Sequence, residues 1–283
     1  MVADIGRRLI LAWGLVFFAL PAAAEAPRRI VTIGGALTEI VYALEAQEIL
    51  VGNDTTSYYP PEAEHLPKVG YQRALSAEGI VSLYPDLVIL TEEAGPPAVL
   101  AQLQAANIPI LQLRAGRSLA DVRDAIRVIA RALKKDRAGS ALIDAIDRQT
   151  AELAKVTARQ PTDKRVLFIL QHGGGAPMAA GRETAVDSII RLSGARNAVT
   201  GYAGYKPLTP EAAAALQPDV ILTTARGLAQ AGGKDALLTA PGLSLTPAAR
   251  TGSLIVMDAL LLLGFGPRTT QAAATLHEAY QGL

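Results

Sequence analysis

The chain has 283 residues, a formal net charge of +1, 50% hydrophobic residues and no cysteine. This length suits two lobes better than a single domain of about 100–200 residues. The balanced charge argues against nucleic-acid binding driven by counterion release. The missing cysteine excludes disulfides, Cys-ligated zinc, iron–sulfur clusters, cysteine nucleophiles and a lipid-modified N-terminal cysteine.

The first element in chain order is a secretory signal over residues 1–24. Two arginines precede the apolar run Leu9–Leu20, and Ala22–Ala24 supplies small residues for cleavage, with cleavage after Ala26 as the second choice. Twelve apolar residues are too few to cross about 30 Å of hydrocarbon, which argues against a membrane anchor. Cleavage removes two basic residues and one acidic residue and leaves 25 of each. We therefore expect a soluble, unlipidated protein in the periplasm of a Gram-negative cell.

Two copies of one supersecondary unit follow, 133 residues apart. Residues 76–89 and 209–222 each start with a hydroxyl residue, carry a glutamate two positions later, and end with Pro-Asp and an apolar strand. Hydroxyl and acidic groups suit a helix N-terminus, and proline ends a helix. Alternation of strands and helices predicts parallel sheets. The expected fold class is α/β, with two similar lobes over residues 27–117 and 163–283.

A helical connector is predicted between the lobes, over residues 118–162. Apolar residues recur at helical spacing over residues 118–133 and again over residues 136–158, which contain no proline. A helix over the second stretch would be about 35 Å long at 1.5 Å per residue. We expect such a long rigid helix to limit hinge motion and keep the cleft between the lobes at nearly fixed width.

Four motifs carry a resemblance to a known family. They are Leu66–Gly79 (LPKVGYQRALSAEG), Gln171–Gly174 (QHGG), Ala179–Gly181 (AAG) and Met257–Thr269 (MDALLLLGFGPRT). The mature chain resembles periplasmic binding proteins of the metal-chelate class, and most of all the haemin-binding proteins. The resemblance implies a monomer that binds one or two ferric haems between its lobes. It also implies delivery of the haem to an inner-membrane ABC permease with its cytoplasmic ATPase.

Tyr71 and Arg73 are the first candidates for the ligand site. A phenolate is an anionic oxygen ligand suited to ferric haem. Because free tyrosine titrates at about pH 10, a phenolate near neutral pH needs a neighbouring cation or the iron itself. We expect Arg73 on the same side of an extended loop, where it stabilises the phenolate or pairs with a haem propionate. The resemblance places the iron ligand and its arginine at these positions, whereas the alternative is that Tyr71 packs against Pro60 or Pro61.

The second lobe offers four further candidates. His172 and Arg226 each follow a strand, and the carboxyl ends of strands face the crevice of an open α/β sheet. The resemblance implies that His172 is a second axial ligand or contacts a second, stacked haem, and Arg226 is a candidate partner for a propionate. A structural or surface role is the alternative for each. Tyr205 and Lys206 precede the second repeated helix and are expected on the opposite wall of the cleft.

Glu78 and Glu211 occupy matching positions in the two repeats. Near a helix N-terminus, each would complement the helix dipole by about 0.3–1 kcal/mol. The resemblance implies that these glutamates, one on each lobe, dock against arginines of the permease. The structural and docking roles are compatible.

Several enzyme signatures are missing. Gly173–Gly175 lacks the Gly-Lys-Ser/Thr of a P-loop, no Gly-x-Ser-x-Gly elbow exists, and three histidines without cysteine argue against catalytic zinc. We therefore expect a binding protein rather than an exported α/β enzyme. Vitamin B12 or a ferric siderophore is the alternative ligand, although 5% aromatic residues are few for a siderophore site. His65 and His277 are expected at the surface, and residues 254–265 as a buried strand and turn.

Overall fold

A computed structural model of the chain describes residues 25–171 and 175–283. The predicted secretory signal and the candidate ligand His172 therefore lie outside the described residues. Within them, two α/β lobes follow each other along the chain, as predicted. None of the helices in these ranges is both long enough and apolar enough to cross a membrane.

The first lobe and the connector contain the following elements, in chain order: β1 (Ile30–Ile33), α1 (Gly35–Ala43), β2 (Leu50–Asn53), β3 (Gly70–Tyr71), β4 (Ala74–Leu75), α2 (Ala77–Val81), β5 (Leu87–Thr91), α3 (Pro97–Ala105), β6 (Ile110–Leu113), α4 (Leu119–Ala132) and α5 (Asp136–Arg159). Strands β2, β1, β5 and β6 form a parallel sheet in that order. Strands β3 and β4 form a separate antiparallel hairpin.

The second lobe contains the remaining elements: β7 (Arg165–Leu170), β8 (Met178–Ala180), α6 (Ala185–Leu192), β9 (Arg196–Asn197), β10 (Tyr205–Pro207), α7 (Pro210–Leu216), β11 (Val220–Thr224), α8 (Ala225–Gln230), α9 (Lys234–Thr239), α10 (Pro247–Thr251), β12 (Leu254–Met257), α11 (Ala259–Leu263) and α12 (Thr269–Gln281). Its sheet has the order β10-β8-β7-β11-β12, and β9 also pairs with β7. Strands β7, β11 and β12 are mutually parallel, while β8 is antiparallel to its neighbours. The central strands are buried along most of their length, as parallel strands covered by helices on both faces should be.

The repeated units fold alike at their helices. The hydroxyl of Ser76 accepts a hydrogen bond from the N–H of Gly79 (3.0 Å), and that of Thr209 accepts one from Ala212 (3.2 Å). After each helix, the residue before Pro-Asp adopts a left-handed conformation, with φ of 46° at Tyr84 and 43° at Gln217. Helices α2 and α7 begin at the predicted caps, and they end at Val81 and Leu216, ahead of the predicted prolines Pro85 and Pro218.

The repeated aspartates have a role that the repeat did not predict. Asp86 accepts hydrogen bonds from the backbone N–H groups of Arg28 (2.7 Å) and Arg29 (3.1 Å), beside the start of β1. Asp219 accepts one from the backbone N–H of Arg165 (2.8 Å), at the start of β7. In each lobe the backbone N–H of the aspartate donates in return to the carbonyl of that arginine, Arg29 or Arg165. The aspartates therefore tie the first strand of each lobe to the strand that follows the repeated helix.

The connector consists of two helices packed against each other. Ser118 and Asp121 form a capping box at the start of α4. A Cβ atom on Gly139 of α5 would lie 2.5 Å from the Cβ of Ala130, so glycine permits the close approach of α5 to α4. Further along α5, the hydroxyl of Thr150 lies 3.0 Å from that of Thr270 in α12. The 24-residue helix α5 thus contacts both α4 and the second lobe.

In the second lobe, two details expected from the sequence are wrong. Residues 254–265 form a strand followed by helix α11 rather than a turn, because the carboxylate of Asp258 accepts a hydrogen bond from Leu261 N–H and caps a new helix (2.8 Å). His277 is buried rather than exposed, and its Nδ1 lies 2.9 Å from the carbonyl oxygen of Ser193. Its position on the inner face of α12 accounts for this burial.

Candidate functional site

A tight hairpin presents Tyr71 and Arg73. Tyr71 pairs with Ala74 across the hairpin, which leaves only Gln72 and Arg73 in the turn. The expected extended loop is therefore wrong. Gly70 has a φ of 105°, and a Cβ atom there would lie 2.7 Å from the carbonyl oxygen of Ala74. Glycine at this position lets the chain reverse within two residues, so Tyr71 and Arg73 are held close together.

The guanidinium of Arg73 contacts the phenol directly. Its Nη1 donates a hydrogen bond to Tyr71 Oη (2.9 Å), and its Nη2 forms an ion pair with Glu93. Burial disfavours the charge on Arg73, but the contacts with Tyr71 and Glu93 outweigh it and raise the pKa of Arg73 above its usual value. Tyr71 is 37% exposed, so part of its side chain is accessible to a ligand. The Arg73 guanidinium therefore donates to the very oxygen that is the candidate iron ligand.

Glu93 and Arg117 complete the charged group, and neither was predicted from the sequence. Arg117 Nη2 lies 3.8 Å from Glu93 Oε1, whereas Arg73 pairs with the other oxygen, Oε2. The signal for Glu93 was available, because this residue follows β5 at the carboxyl end of a parallel strand. Arg117 immediately precedes the cap of α4 and had no comparable signal.

Tyr205 of the second lobe lies within reach of the same charges. Although Tyr205 is 36% exposed, desolvation of its phenol raises its pKa to about 12, and the Glu93 carboxylate adds to this effect while the Arg73 guanidinium opposes it. Tyr205 is therefore a neutral phenol near pH 7. Lys206 is the next residue of β10, and its Nζ lies 4.9 Å from the centre of the Tyr202 ring. Because successive side chains of a strand point to opposite faces, the structure separates Lys206 from Tyr205.

The remaining candidates lie at the surface or outside the described residues. Arg226 is exposed in the first turn of α8, at the carboxyl end of β11, and forms no hydrogen bond or ion pair with any described residue. Gln171 Nε2 donates to the carbonyl of Gly175 (2.8 Å) and so joins the two ends of the segment that contains His172. Across residues 25–171 and 175–283, no three His, Asp or Glu side chains converge as a metal site.

Glu78 and Glu211 are both exposed, one on each lobe. Both lie in the first turn of their helices. A hydrogen bond from its own backbone N–H, together with one from the Thr209 hydroxyl, lowers the pKa of Glu211. This carboxylate is therefore ionised at neutral pH. The two glutamates are placed as charged, accessible groups at equivalent positions of the repeat.

The chain forms two α/β lobes joined by a long helix, and polar groups from both lobes lie near one another at strand ends. This arrangement defines a solute-binding protein. The chain belongs to the family of periplasmic binding proteins, whose sequence profile matches residues 30–261. This family consists of carriers for solutes rather than enzymes. Proteins of this kind bind a ligand and deliver it to the permease of an ABC importer.

Individual relatives are similar over most of the chain. The solved structure of the periplasmic heme-binding protein BhuT in complex with two hemes is 45% identical, with a TM-score of 0.86, and the match covers 91% of this chain and 99% of that one. The vitamin B12-binding protein of Pectobacterium atrosepticum is 29% identical over 66% of this chain and 67% of its own length. The uncharacterized ABC transporter substrate-binding lipoprotein YvrC of Bacillus subtilis is 28% identical over 70% of this chain, which spans 64% of that protein's length.

Proposed function

We propose that this protein is a periplasmic carrier that binds ferric haem between its lobes and delivers it to an ABC importer. The observation that carries the proposal is the hydrogen bond from Arg73 to the oxygen of Tyr71 (2.9 Å). A tyrosine oxygen held in this way is suited to ligate ferric iron. The 45% identity to BhuT, against 29% to a vitamin B12-binding protein, favours haem over a corrinoid.

The second lobe completes the proposed site. Tyr205 supplies a neutral hydroxyl opposite Arg73, and Arg226 supplies an exposed cation at the end of β11. His172 is proposed as a second axial ligand or as a contact for a second, stacked haem, so that the protein carries one or two haems. Lys206 contacts the haem only if it leaves the ring of Tyr202. The carrier is proposed to act as a monomer in the periplasm after cleavage of its signal.

The test is a haem titration of the wild-type protein and a Tyr71→Phe variant. We expect haemin to give a coloured complex with wild type. Loss of a residue that hydrogen-bonds to a metal ligand typically costs about 10–100-fold in affinity, so loss of the ligand itself in Tyr71→Phe should cost at least as much. The variant should also lose the absorption band of tyrosinate-bound iron. Tyr84→Phe, which alters a tyrosine that is 79% exposed, is the matched control and should behave like wild type.

The same titration decides between ligands. Cobalamin and a ferric siderophore are added as competitors of haemin. Displacement of haemin by cobalamin at comparable concentration would favour the vitamin B12 alternative. An unchanged spectrum in Tyr71→Phe would contradict the assignment of the iron ligand while leaving haem binding itself intact.

Docking to the permease is proposed to use Glu78 and Glu211. The paired variant Glu78→Gln/Glu211→Gln removes both charges and keeps the shape of both side chains. We expect unchanged haem affinity and an at least tenfold loss of stimulated ATPase activity by the reconstituted importer, because charge pairs at an interface are worth about 1.5 kcal/mol or more. The control is Glu48→Gln/Glu64→Gln, two exposed glutamates outside the repeats. Equal stimulation by both pairs would contradict docking through Glu78 and Glu211.

A further inference from the structure

One carboxylate of the protein lies between two arginines beside the proposed iron ligand. Arg73 pairs with Oε2 of Glu93, and Arg117 Nη2 lies 3.8 Å from Oε1, so both oxygens of the carboxylate are engaged. The side chains of Arg73 and Arg117 are each 52% exposed, and that of Glu93 is 35% exposed. Two guanidinium groups around one carboxylate leave a net positive charge that is accessible to a ligand.

The backbone holds both arginines without help from the Glu93 side chain. The hairpin that carries Arg73 is tied to the following loop by a hydrogen bond from Gly95 N–H to the carbonyl of Gln72 (2.9 Å). The N–H of Arg117 donates to Asp121 (3.1 Å), and its carbonyl accepts from the hydroxyl of Ser188 in the second lobe (2.6 Å). Removal of the Glu93 carboxylate should therefore leave the two arginine backbones in position.

The group faces the second lobe. Both Glu93 and Arg73 act electrostatically on the phenol of Tyr205, which belongs to β10. A ligand that separates Tyr71 from Tyr205 would therefore lie against Arg73 and Glu93. Guanidinium groups bind carboxylates through paired, charge-assisted hydrogen bonds, and a ligand carboxylate offers them the same geometry as Glu93 does.

We propose that Arg73 and Arg117 form a carboxylate-binding site that Glu93 occupies in the absence of ligand, and that a ligand carboxylate competes with Glu93 for it. Only the identity of the ligand rests on the proposed function; for haem, the competing group is a propionate. Glu93 accordingly limits the affinity for ligands that carry carboxylates, and its return to the arginines assists release. Neither Glu93 nor Arg117 has to touch the iron.

The experiment compares two tetrapyrroles that carry propionates, haemin and protoporphyrin IX, with their dimethyl esters, which have no free carboxylate. Haemin, protoporphyrin IX and the dimethyl esters of both are titrated into wild type and Glu93→Gln. We expect Glu93→Gln to bind haemin and protoporphyrin IX about tenfold more tightly, the effect of one charge-assisted contact. Binding of both esters should change by less than about twofold. Glu92→Gln, a change at the exposed neighbouring residue, is the matched control and should alter none of the four affinities.

A second variant tests the role of Arg117. Arg117→Gln should weaken binding of the two acids by about tenfold and leave binding of the esters unchanged. Equal effects of Glu93→Gln on acid and ester, or unchanged acid binding in Arg117→Gln, would overturn the carboxylate site. The variants could change the affinity for protoporphyrin IX as expected while bound haemin shows no spectrum of tyrosine-ligated iron. That result would overturn iron ligation by Tyr71 only. Absence of binding to all four compounds in wild type would overturn both proposals.

Discussion

Tyr71 and Tyr205 come from different lobes and both lie near the charge of Arg73, yet their surroundings differ. Arg73 donates a hydrogen bond to the oxygen of Tyr71 (2.9 Å), whereas the pKa of Tyr205 is raised to about 12, chiefly by burial. A neutral phenol is a hydrogen-bond donor and a poor ligand for ferric iron. The proposed division of roles is therefore that Tyr71 binds iron and Tyr205 hydrogen-bonds to the bound ligand.

Tyr205→Phe tests this division. We expect its haem affinity to fall by about fivefold, because the variant loses one neutral hydrogen bond worth about 1 kcal/mol. The absorption spectrum of bound haem should stay that of wild type. The dependence of binding on pH should also match wild type between about pH 7 and 10, because a phenol with a pKa of about 12 stays protonated throughout. A changed iron spectrum in Tyr205→Phe would contradict the assignment.

At the scale of elements, the repeat accounts for contacts between strands as well as for its two helices. Asp86 and Asp219 each accept hydrogen bonds from the backbone N–H of the residue that leads into the first strand of the lobe. These contacts join parts of the chain 57 and 54 residues apart. Each aspartate therefore fixes how two parallel strands meet at their amino ends, in addition to following the proline that ends the helix.

Asp86→Ala and Asp219→Ala should each lower the free energy of unfolding by about 1–2 kcal/mol, because each removes a charged acceptor from backbone N–H groups. Chemical denaturation followed by circular dichroism measures the loss. Asp144→Ala, at an exposed position of helix α5, is the control and should change stability by less than about 0.5 kcal/mol. Equal losses in all three variants would show that the backbone contacts of Asp86 and Asp219 contribute nothing specific.

The local patterns of the sequence predicted the local structure well. The hydroxyl caps, the glutamate positions and the helical spacing of the connector depend on residues a few positions apart, and α2, α7, α4 and α5 agree with them. The hydrogen bond between Arg73 and Tyr71 also joins residues close in sequence, and their proximity was expected although the tight hairpin was not. These features could be predicted because the residues that determine them lie within one turn or one hairpin.

Contacts between distant segments were not predictable in this way. Glu93 meets Arg117 because β5 and the start of α4 lie at the same end of the sheet, and only the register of the strands brings them together. His277 was expected at the surface because its neighbours in sequence gave no sign that α12 packs between α5 and α6. A single sequence does not carry this information, since tertiary packing determines it.

At the scale of the whole molecule, a buried ion pair joins the two lobes. Arg268 of the second lobe donates two hydrogen bonds to Glu39 of the first (2.9 and 2.6 Å), and its guanidinium stacks 3.4 Å from the centre of the Tyr59 ring. Nearby, Tyr58 donates to Asp258 (2.9 Å) and accepts from the N–H of Leu260 (2.6 Å). These contacts join the two lobes directly, and the limited hinge motion expected from the connector stays a prediction.

The cost of breaking the ion pair should depend on pH. Burial raises the pKa of Glu39 above its usual value, and this effect outweighs the hydrogen bonds and charge of Arg268, which lower it. Arg268→Met removes the only side chain bonded to this carboxylate in the described part of the chain, so an uncompensated charge stays buried. We expect a loss of about 3 kcal/mol in the free energy of unfolding near neutral pH.

The sign of the pH effect follows from the direction of that shift. A carboxyl whose pKa is higher in the folded than in the unfolded state contributes stability at low pH and loses it as pH rises through the folded-state pKa. Arg268→Met should therefore be least destabilised near pH 4 and most destabilised near pH 8, as measured by denaturant unfolding at both values. The double variant Glu39→Gln/Arg268→Met lacks the same stacking on Tyr59 but carries no buried charge, so it should recover most of the lost stability at pH 8 and show little pH dependence. Equal stability of the single and double variants at pH 8 would mean that stacking of Arg268 on Tyr59, rather than neutralisation of Glu39, joins the lobes.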